Sequence, residues 1–414
     1  MSDSLLIRDI KSLCGIMEKP YPFKKGKAMS VLERIDNAYL LMENGLIRDF
    51  GPMSACPDRA DKVIRAKGSF VLPCWNDSHT HIVFPATREG EFIDKINGLT
   101  YEEIAEKGGG ILNSAKKMAL AEEGVLLDAA LKRVEEMISY GTGAIEIKSG
   151  YGLNFESEMK MLRVIRELKY QVPIPIKSTF LGAHALPVRY KKDREAFIKN
   201  ITDYMLPHIY RESLADYVDV FCDKGFFTVD ETDRILQRAA EFGLIPKIHA
   251  NELDYSGGIQ VGVKNNALSV DHLEYTGDEE IEVLKNSNTV PTLLPSTAFY
   301  LKLKYAPARK MIDAGLGIAL ASDYNPGSSP SGSMPFVISL ASIYMGMLPE
   351  ESINAATINS AYAMGLENET GSISVGKAAN VIITKPMDSL ALIPYHFSKN
   401  PVERVVIKGK IFSQ

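Results

Sequence analysis

Through the middle of this 414-residue chain, short apolar runs alternate with helical stretches, and few folds accommodate that pattern. The runs span residues 70–72, 144–147, 176–181, 217–221, 245–248, 268–271, 289–294 and 317–321. The stretches between them have helical periodicity. Leu127, Leu131, Val134 and Ile138 share one face of residues 123–140, and Gly141 is a stop signal. Thr228-Val229-Asp230-Glu231 is a capping box that opens a helix with Ile235, Ala239 and Phe242 on one face. Strands separated by helices read as parallel strands with crossover connections. Eight such units predict an α/β fold, a TIM-like (β/α)8 barrel. A doubly wound open sheet is the alternative. No Gly-x-Gly-x-x-Gly follows a strand, however, and Gly108-Gly109-Gly110 reads as a turn or hinge in a polar connection.

The two chain ends have a different texture. Residues 5–10, 39–42, 46–50 and 63–66 read as strands, with Asn44-Gly45 as a hairpin turn. Residues 379–384 and 404–412 repeat the pattern at the other end. Neither end supplies enough strands alone. The expected arrangement is one small β-sandwich-like domain made from residues 1–67 and 376–414, flanking a barrel over 68–375.

Barrel enzymes carry their chemistry at the C-terminal ends of the strands. His79 and His81 follow the first run, and residues i and i+2 of a strand point to one side. His184, His249 and His272 follow the third, fifth and sixth runs, and Asp323 follows the eighth. Three imidazoles and a carboxylate suit a zinc-like or iron-like catalytic site. Such an ion lowers the pKa of bound water to about 7 and polarises a carbonyl. We assign His79, His81, His249 and Asp323 to the metal, with Asp323 also able to accept the water's proton. Glu252, three positions after His249, reaches the same pocket as a proton shuttle, and His272 hydrogen-bonds the substrate carbonyl or the attacking water. Asp271 alternates to the opposite side of its strand and reads as structural. Arg88 at the rim suits an anionic substrate, since a guanidinium grips a carboxylate in a fork. Tyr151 could donate a hydrogen bond, and Asn325, Gly327 and Ser328 could serve a second polar end of the substrate. His208 shares a helical face with Phe197, Ile201 and Tyr204 and reads as structural, and His396 reads as a loop residue near the last strands.

A net charge of −5 gives no footprint for nucleic acid. No apolar run reaches the roughly 18–20 residues that a membrane span needs. The first nine residues lack the basic and apolar regions of a signal peptide, and Cys14, Cys56, Cys74 and Cys222 are scattered without a CxxC spacing. The scattered cysteines lead us to expect a reducing compartment.

Several stretches are more specific. An N-terminal strand region, His-x-His after the first strand, later histidines and a final Asp resemble the amidohydrolase superfamily. Asp77-Ser78-His79-Thr80-His81-Ile82-Val83-Phe84, Thr87-Arg88-Glu89, Gly108-Gly109-Gly110-Ile111-Leu112, Lys148-Ser149-Gly150-Tyr151-Gly152-Leu153, Thr179-Phe180-Leu181-Gly182-Ala183-His184-Ala185 and Ser322-Asp323-Tyr324-Asn325-Pro326-Gly327-Ser328 resemble the imidazolonepropionase family within it. The resemblance implies hydrolytic opening of the ring of 4-imidazolone-5-propanoate to N-formimidoyl-L-glutamate, in histidine degradation. It also implies one Zn2+ or Fe ion per chain, a cytoplasmic homodimer, and a small anionic substrate with no nucleic-acid or membrane partner. By similarity, Arg88, Tyr151 and His184 hold the substrate, and Glu252, Asn325, Gly327 and Ser328 complete the pocket. His272, Glu252 and Asp323 are then the catalytic groups. Asn251 stands where an acid is expected, Pro85-Ala86 replaces a more glycine-rich pair, and Pro291 falls inside a strand. Lys224 lies where two-metal relatives carry a bridging lysine, but its neighbours do not match, which favours one ion. Two other readings share the same residues: an aminohydrolase that releases ammonia from a heterocyclic base, and a metal-binding barrel without turnover.

Overall fold

The computed structural model describes residues 3–17, 22–99, 103, 107 and 109–412. The chain opens with β1 (Ser4–Cys14), β2 (Arg34–Glu43), β3 (Leu46–Pro52), β4 (Lys62–Arg65) and β5 (Phe70–Pro73). It continues through β6 (Trp75–Thr80), β7 (Thr142–Lys148), β8 (Ile176–Ala183), β9 (Tyr217–Cys222), β10 (Ile245–Ala250), β11 (Ser269–His272), β12 (Val290–Leu293) and β13 (Ala319–Leu320). It closes with β14 (Val381–Thr384), β15 (Val402–Ile407) and β16 (Lys410–Phe412).

Strands β6 to β13 lie side by side in chain order, parallel throughout, as an eight-stranded sheet. The two ends of that sheet meet. The amide of Asp323 donates to the His79 carbonyl and the amide of His81 to the Tyr324 carbonyl, each at 2.9 Å. Buried Asp77 on β6 accepts from the amide and hydroxyl of Ser322 at 2.9 and 2.5 Å. The barrel is therefore closed by residues just beyond β13, at the same level as the histidines. Helices occupy the connections. Val229–Ala240 begins with the capping box of Thr228 and Glu231, and Glu123–Ser139 covers its predicted span to within one residue. Pro291 sits opposite Val270 in unbroken register, so β12 tolerates the missing N–H without bulging.

The other strands join the two chain ends in one hydrogen-bonded network, ordered β16-β15-β14-β5-β1-β2-β3 with β4 also on β1. Alternate residues such as Leu5, Ile7, Val71, Val381 and Ile383 build its own apolar core. Asn44 and Gly45 turn the β2–β3 hairpin at φ 52° and 82°, the left-handed pair that a two-residue hairpin requires.

Two readings are corrected. Residues 70–72 are not the first barrel strand: Val71 pairs with Leu13 of β1, and Leu72 lies opposite Ile382 of β14. The chain crosses to the barrel at Cys74, and β6 is the first barrel strand. Every residue of β5 and β6 is buried, the polar residues of β6 included, so no exposed face marks the break between two strands of different sheets. Gly110, at φ 79°, begins the helix Gly110–Leu120, while Gly108 lies outside the described residues. Asp271 is taken up with the site. Among the described residues no helix is long and apolar enough to cross a membrane.

The crossing point is tightly packed: a Cβ on Gly143 would lie 2.4 Å from Cys74 Cβ. Gly143→Ala is expected to destabilise the fold by about 1–3 kcal/mol through overpacking. Gly90→Ala, with nothing within 4 Å, should be neutral or slightly stabilising. Denaturant unfolding of both variants checks the contrast.

Candidate active site

His79 on β6, His81 just past it and His249 on β10 converge at the C-terminal mouth of the barrel. One nitrogen from each falls within a cluster no wider than 4.8 Å. The Nε2 atoms of His79 and His81 are 3.2 Å apart. Two nitrogens each bound at about 2.0–2.1 Å to a tetrahedral ion would lie about 3.3 Å apart. Asp323 Oδ1 stands 3.6 Å from His79 Nε2 and 3.5 Å from His81 Nε2. Burial holds the pKa values of His79 and His81 well below the ordinary range, so both rings are neutral, the form that coordinates a metal. Geometry and donor chemistry therefore fit a divalent ion of the zinc or iron class.

The rings are aimed from behind. His79 Nδ1 bonds Asp271 Oδ2 at 2.6 Å, and His249 Nδ1 bonds Asp219 Oδ2 at 2.9 Å. A carboxylate on Nδ1 places the proton there and leaves the Nε2 lone pair free to face forward. Burial opposes ionisation of Asp219, but His249 and Lys148 outweigh it and hold the carboxyl well below the usual range. Burial pushes Asp271 up, against the pull of Lys247 and Lys148.

Asp271 was expected to face away from the site, because neighbours alternate along a strand. His272 and Leu273 adopt φ of 83° and 71°, and that left-handed turn breaks the alternation. Asp271 and His272 consequently both face the site, with the His272 ring 5.5 Å from that of His79 and 5.1 Å from that of His249. Asn251 (φ 55°) and Asp323 (φ 52°) are left-handed too. Backbone strain of this kind costs on the order of 1–3 kcal/mol per residue and gathers at functional sites.

Two carboxyls neighbour the histidines. Glu252 lies 3.7 Å from His272 Nδ1. Burial, then Asp323 and Asp223, push its pKa up to about 8. Its loop is fixed by Asp223, whose Oδ2 accepts from the amides of Glu252 and Leu253 at 2.7 and 2.9 Å. Asp323 is pushed up by burial to about 6, and it accepts from Thr297 Oγ1 at 2.6 Å.

Arg88 is the cation beside Tyr151. Its guanidinium lies 5.6 Å from the centre of the Tyr151 ring, Nε donates to Ser114 Oγ at 3.0 Å, and Glu91 is 4.0 Å away. Buried Nη2 has no hydrogen-bond partner among the described residues. The group fits because Gly327 has no side chain: a Cβ there would lie 2.4 Å from Arg88 Nη1. His184 stacks on His81 with ring centres 5.5 Å apart, and its Nδ1 bonds the Gly150 carbonyl at 2.9 Å. Burial lowers its pKa to about 3. Asn325 Oδ1 accepts from the amides of Gly327 and Ser328, both at 2.8 Å, and its Nδ2 donates to Ser328 Oγ at 2.7 Å. Those three residues thus shape their own loop, and any donor they give a ligand must be exchanged from it. Lys224 is largely exposed and pairs with Asp254. His208 packs on Phe155 and Tyr204, away from the site.

Sequence reasoning missed Asp219, Lys148 and Glu146. All three are fully buried charged residues on barrel strands. The signal was present: Glu146 and Lys148 stand at i and i+2 in Ala-Ile-Glu-Ile-Lys, and Asp219 interrupts Tyr-Val-Asp-Val-Phe-Cys. A charge inside a strand buried on both faces needs a partner in the lumen.

Residues 70–412 match the amidohydrolase family. The chain is 54% identical over 407 residues to an imidazolonepropionase from Flavobacterium johnsoniae, covering 98% of this chain and 99% of that protein. It is 40% identical over 410 residues to an imidazolonepropionase from Geobacillus kaustophilus, covering 98% and 96%. Among solved structures, an atrazine chlorohydrolase from Arthrobacter aurescens TC1 in complex with zinc superposes with a TM-score of 0.75 at 14% identity, covering 99% of this chain and 95% of that one. An adenosine deaminase from Xanthomonas campestris with bound zinc gives 0.70 at 16% identity, covering 98% and 92%. At such identities the structural likeness speaks for the fold alone.

The raised pKa of Glu252 has a consequence for the metal-free protein. A folded-state value of about 8 lies above the unfolded one, so the fold favours the protonated acid. That contribution is complete below the unfolded pKa of about 4.3 and is lost as pH rises toward 8. Metal-free Glu252→Gln should therefore be more stable than the parent at pH 8, and the difference should shrink toward pH 4. Chemical denaturation across that range measures it.

Proposed function

For a chain that belongs to the amidohydrolase family, and within it to the imidazolonepropionases, we propose hydrolysis of 4-imidazolone-5-propanoate to N-formimidoyl-L-glutamate, a step in histidine degradation. The observation that carries the substrate reading is Arg88. A buried guanidinium with an unpaired Nη2, set beside Tyr151 and His184, suits the propanoate carboxylate. A neutral heterocyclic base would leave Glu91, 4.0 Å from Nη1, as the only counter-charge among the described residues and Nη2 without an anionic acceptor.

His79, His81, His249 and Asp323 would hold one zinc or iron ion per chain. When bound, that ion supplies Lewis acidity toward water and the ring carbonyl. The remaining roles belong to the chain. Arg88 and Tyr151 fix the propanoate arm, and His184 holds the ring, with Asn325, Gly327 and Ser328 closing the pocket. Water oxygen bonds to the ring carbonyl carbon and the bond from that carbon to the adjacent ring nitrogen breaks. The nitrogen takes a proton, and the former carbonyl leaves as a carboxylate. Asp323, the carboxyl with the lower pKa, accepts the water's proton. Glu252, still protonated near neutrality, delivers one to the leaving nitrogen. His272, held neutral by burial, hydrogen-bonds the carbonyl oxygen or the water. The homodimer and the cytoplasmic location belong to the same proposal, and sedimentation at twice the chain mass checks the former.

Arg88→Ala is expected to lower kcat/KM by about 10- to 100-fold, mainly through KM, as for loss of a charged hydrogen-bonded pair. His272→Ala and Glu252→Gln should lower kcat by about 10²- to 10⁴-fold with metal content unchanged. Chelation should abolish turnover and zinc or iron should restore it. Parental KM in Arg88→Ala would remove the basis for an anionic substrate.

A further inference from the structure

The lumen beneath the histidines holds charge where barrels ordinarily hold hydrocarbon. Lys148 on β7 is completely buried. Its Nζ lies 2.7 Å from Glu146 Oε1, 2.8 Å from Asp219 Oδ2 and 3.6 Å from Asp271 Oδ2. Asp219 Oδ2 is the oxygen that bonds His249 Nδ1, and Asp271 Oδ2 is the oxygen that bonds His79 Nδ1. One ammonium thus stands behind both ring-anchoring carboxylates. It is itself held in place: Glu146 also accepts from Thr179 Oγ1 at 2.6 Å and pairs with Lys247, whose Nζ donates to the carbonyls of Ser78 and Ala363 at 3.0 and 3.1 Å.

We propose that Lys148 is a positioning residue that sets two imidazoles of the metal site at once, through the very oxygens that receive their Nδ1 protons. It touches neither a ligand nitrogen nor the space in front of the rings. Without it, Asp219 loses its paired cation and faces Asp271, which keeps only the more general attraction of Lys247, and each drags its histidine as the two carboxylates separate. Glu146 loses a partner as well. Removing an ammonium also removes a positive charge from beneath a cation site, so charge alone would tighten metal binding. The positional effect is expected to win, because losing the partner behind one metal-binding histidine commonly weakens affinity by about 10- to 100-fold, and here two are disturbed together.

This inference rests on the assignment of His79 and His249 to the ion. The test is a zinc titration of metal-free protein in competition with a chromophoric chelator, beside the visible absorption of the cobalt(II) form. Lys148→Met should bind zinc at least tenfold more weakly, and its cobalt bands should shift as the rings reorient, which a general loss of stability would not produce. Zinc affinity within threefold of the parent, or tighter, overturns the role of Lys148. If that variant does not fold, Lys148→Met/Glu146→Gln removes one charge of each sign and is read the same way. His79→Ala separates the two levels. Parental affinity there overturns the ligand assignment itself, whereas weakened binding in His79→Ala with parental affinity in Lys148→Met overturns only the positioning role.

Discussion

A buried imidazole stays aimed at one point only if its rear nitrogen has a fixed acceptor, and the mouth of this barrel is built around that requirement. His79 leans on Asp271, His249 on Asp219, and His184 on the carbonyl of Gly150. Each acceptor comes from a different strand or strand end than the ring it serves. The parallel register, in which His249 lies beside Asp271 and Ile248 beside Val220, is therefore a chemical constraint as much as a structural one. A slip of one residue would turn every anchor out of the lumen.

Meeting the requirement has costs that the rest of the fold offsets. Glu146, Lys148, Asp219, Lys247 and Asp271 are fully buried, and such charges are tolerable only when paired. Four non-glycine residues at the mouth sit in the left-handed region. Around them, the apolar residues between sheet and helices form one continuous core. The same strain is useful. At His272 and Leu273 it lets consecutive residues face one site, placing an anchor and the imidazole proposed to act on substrate on one strand end. At Asp323 it turns the carboxyl toward His79 and His81 while the adjacent backbone closes the barrel.

Much of the fold was legible because the two periodicities of the sequence differ. Seven of the eight barrel strands fall where alternating runs place them, and the Thr228 cap is present as read. The first strand was misplaced because β5 and β6 are buried on both faces, and periodicity carries no information across such a run. The histidines were legible through their position at strand ends, and the resemblance added the contexts of Arg88, Tyr151 and His184. Asp271 was misjudged because strict alternation fails at a residue with positive φ, which composition does not announce for histidine or leucine. Asp219 and Lys148 were overlooked because the strands were scanned for what they bury and not for which charges must pair inside.

The proposed function joins two ideas at this site: a cation placed to receive a carboxylate at one end, and acid and base groups placed to open a ring at the other. The most direct test is turnover of 4-imidazolone-5-propanoate by metal-loaded protein in 18O-water, with mass analysis of the product and an assay for ammonia. Ring hydrolysis predicts one 18O atom in the carboxylate formed from the ring carbonyl and no ammonia beyond the blank. An intact ring, or ammonia released in step with substrate loss, would contradict it.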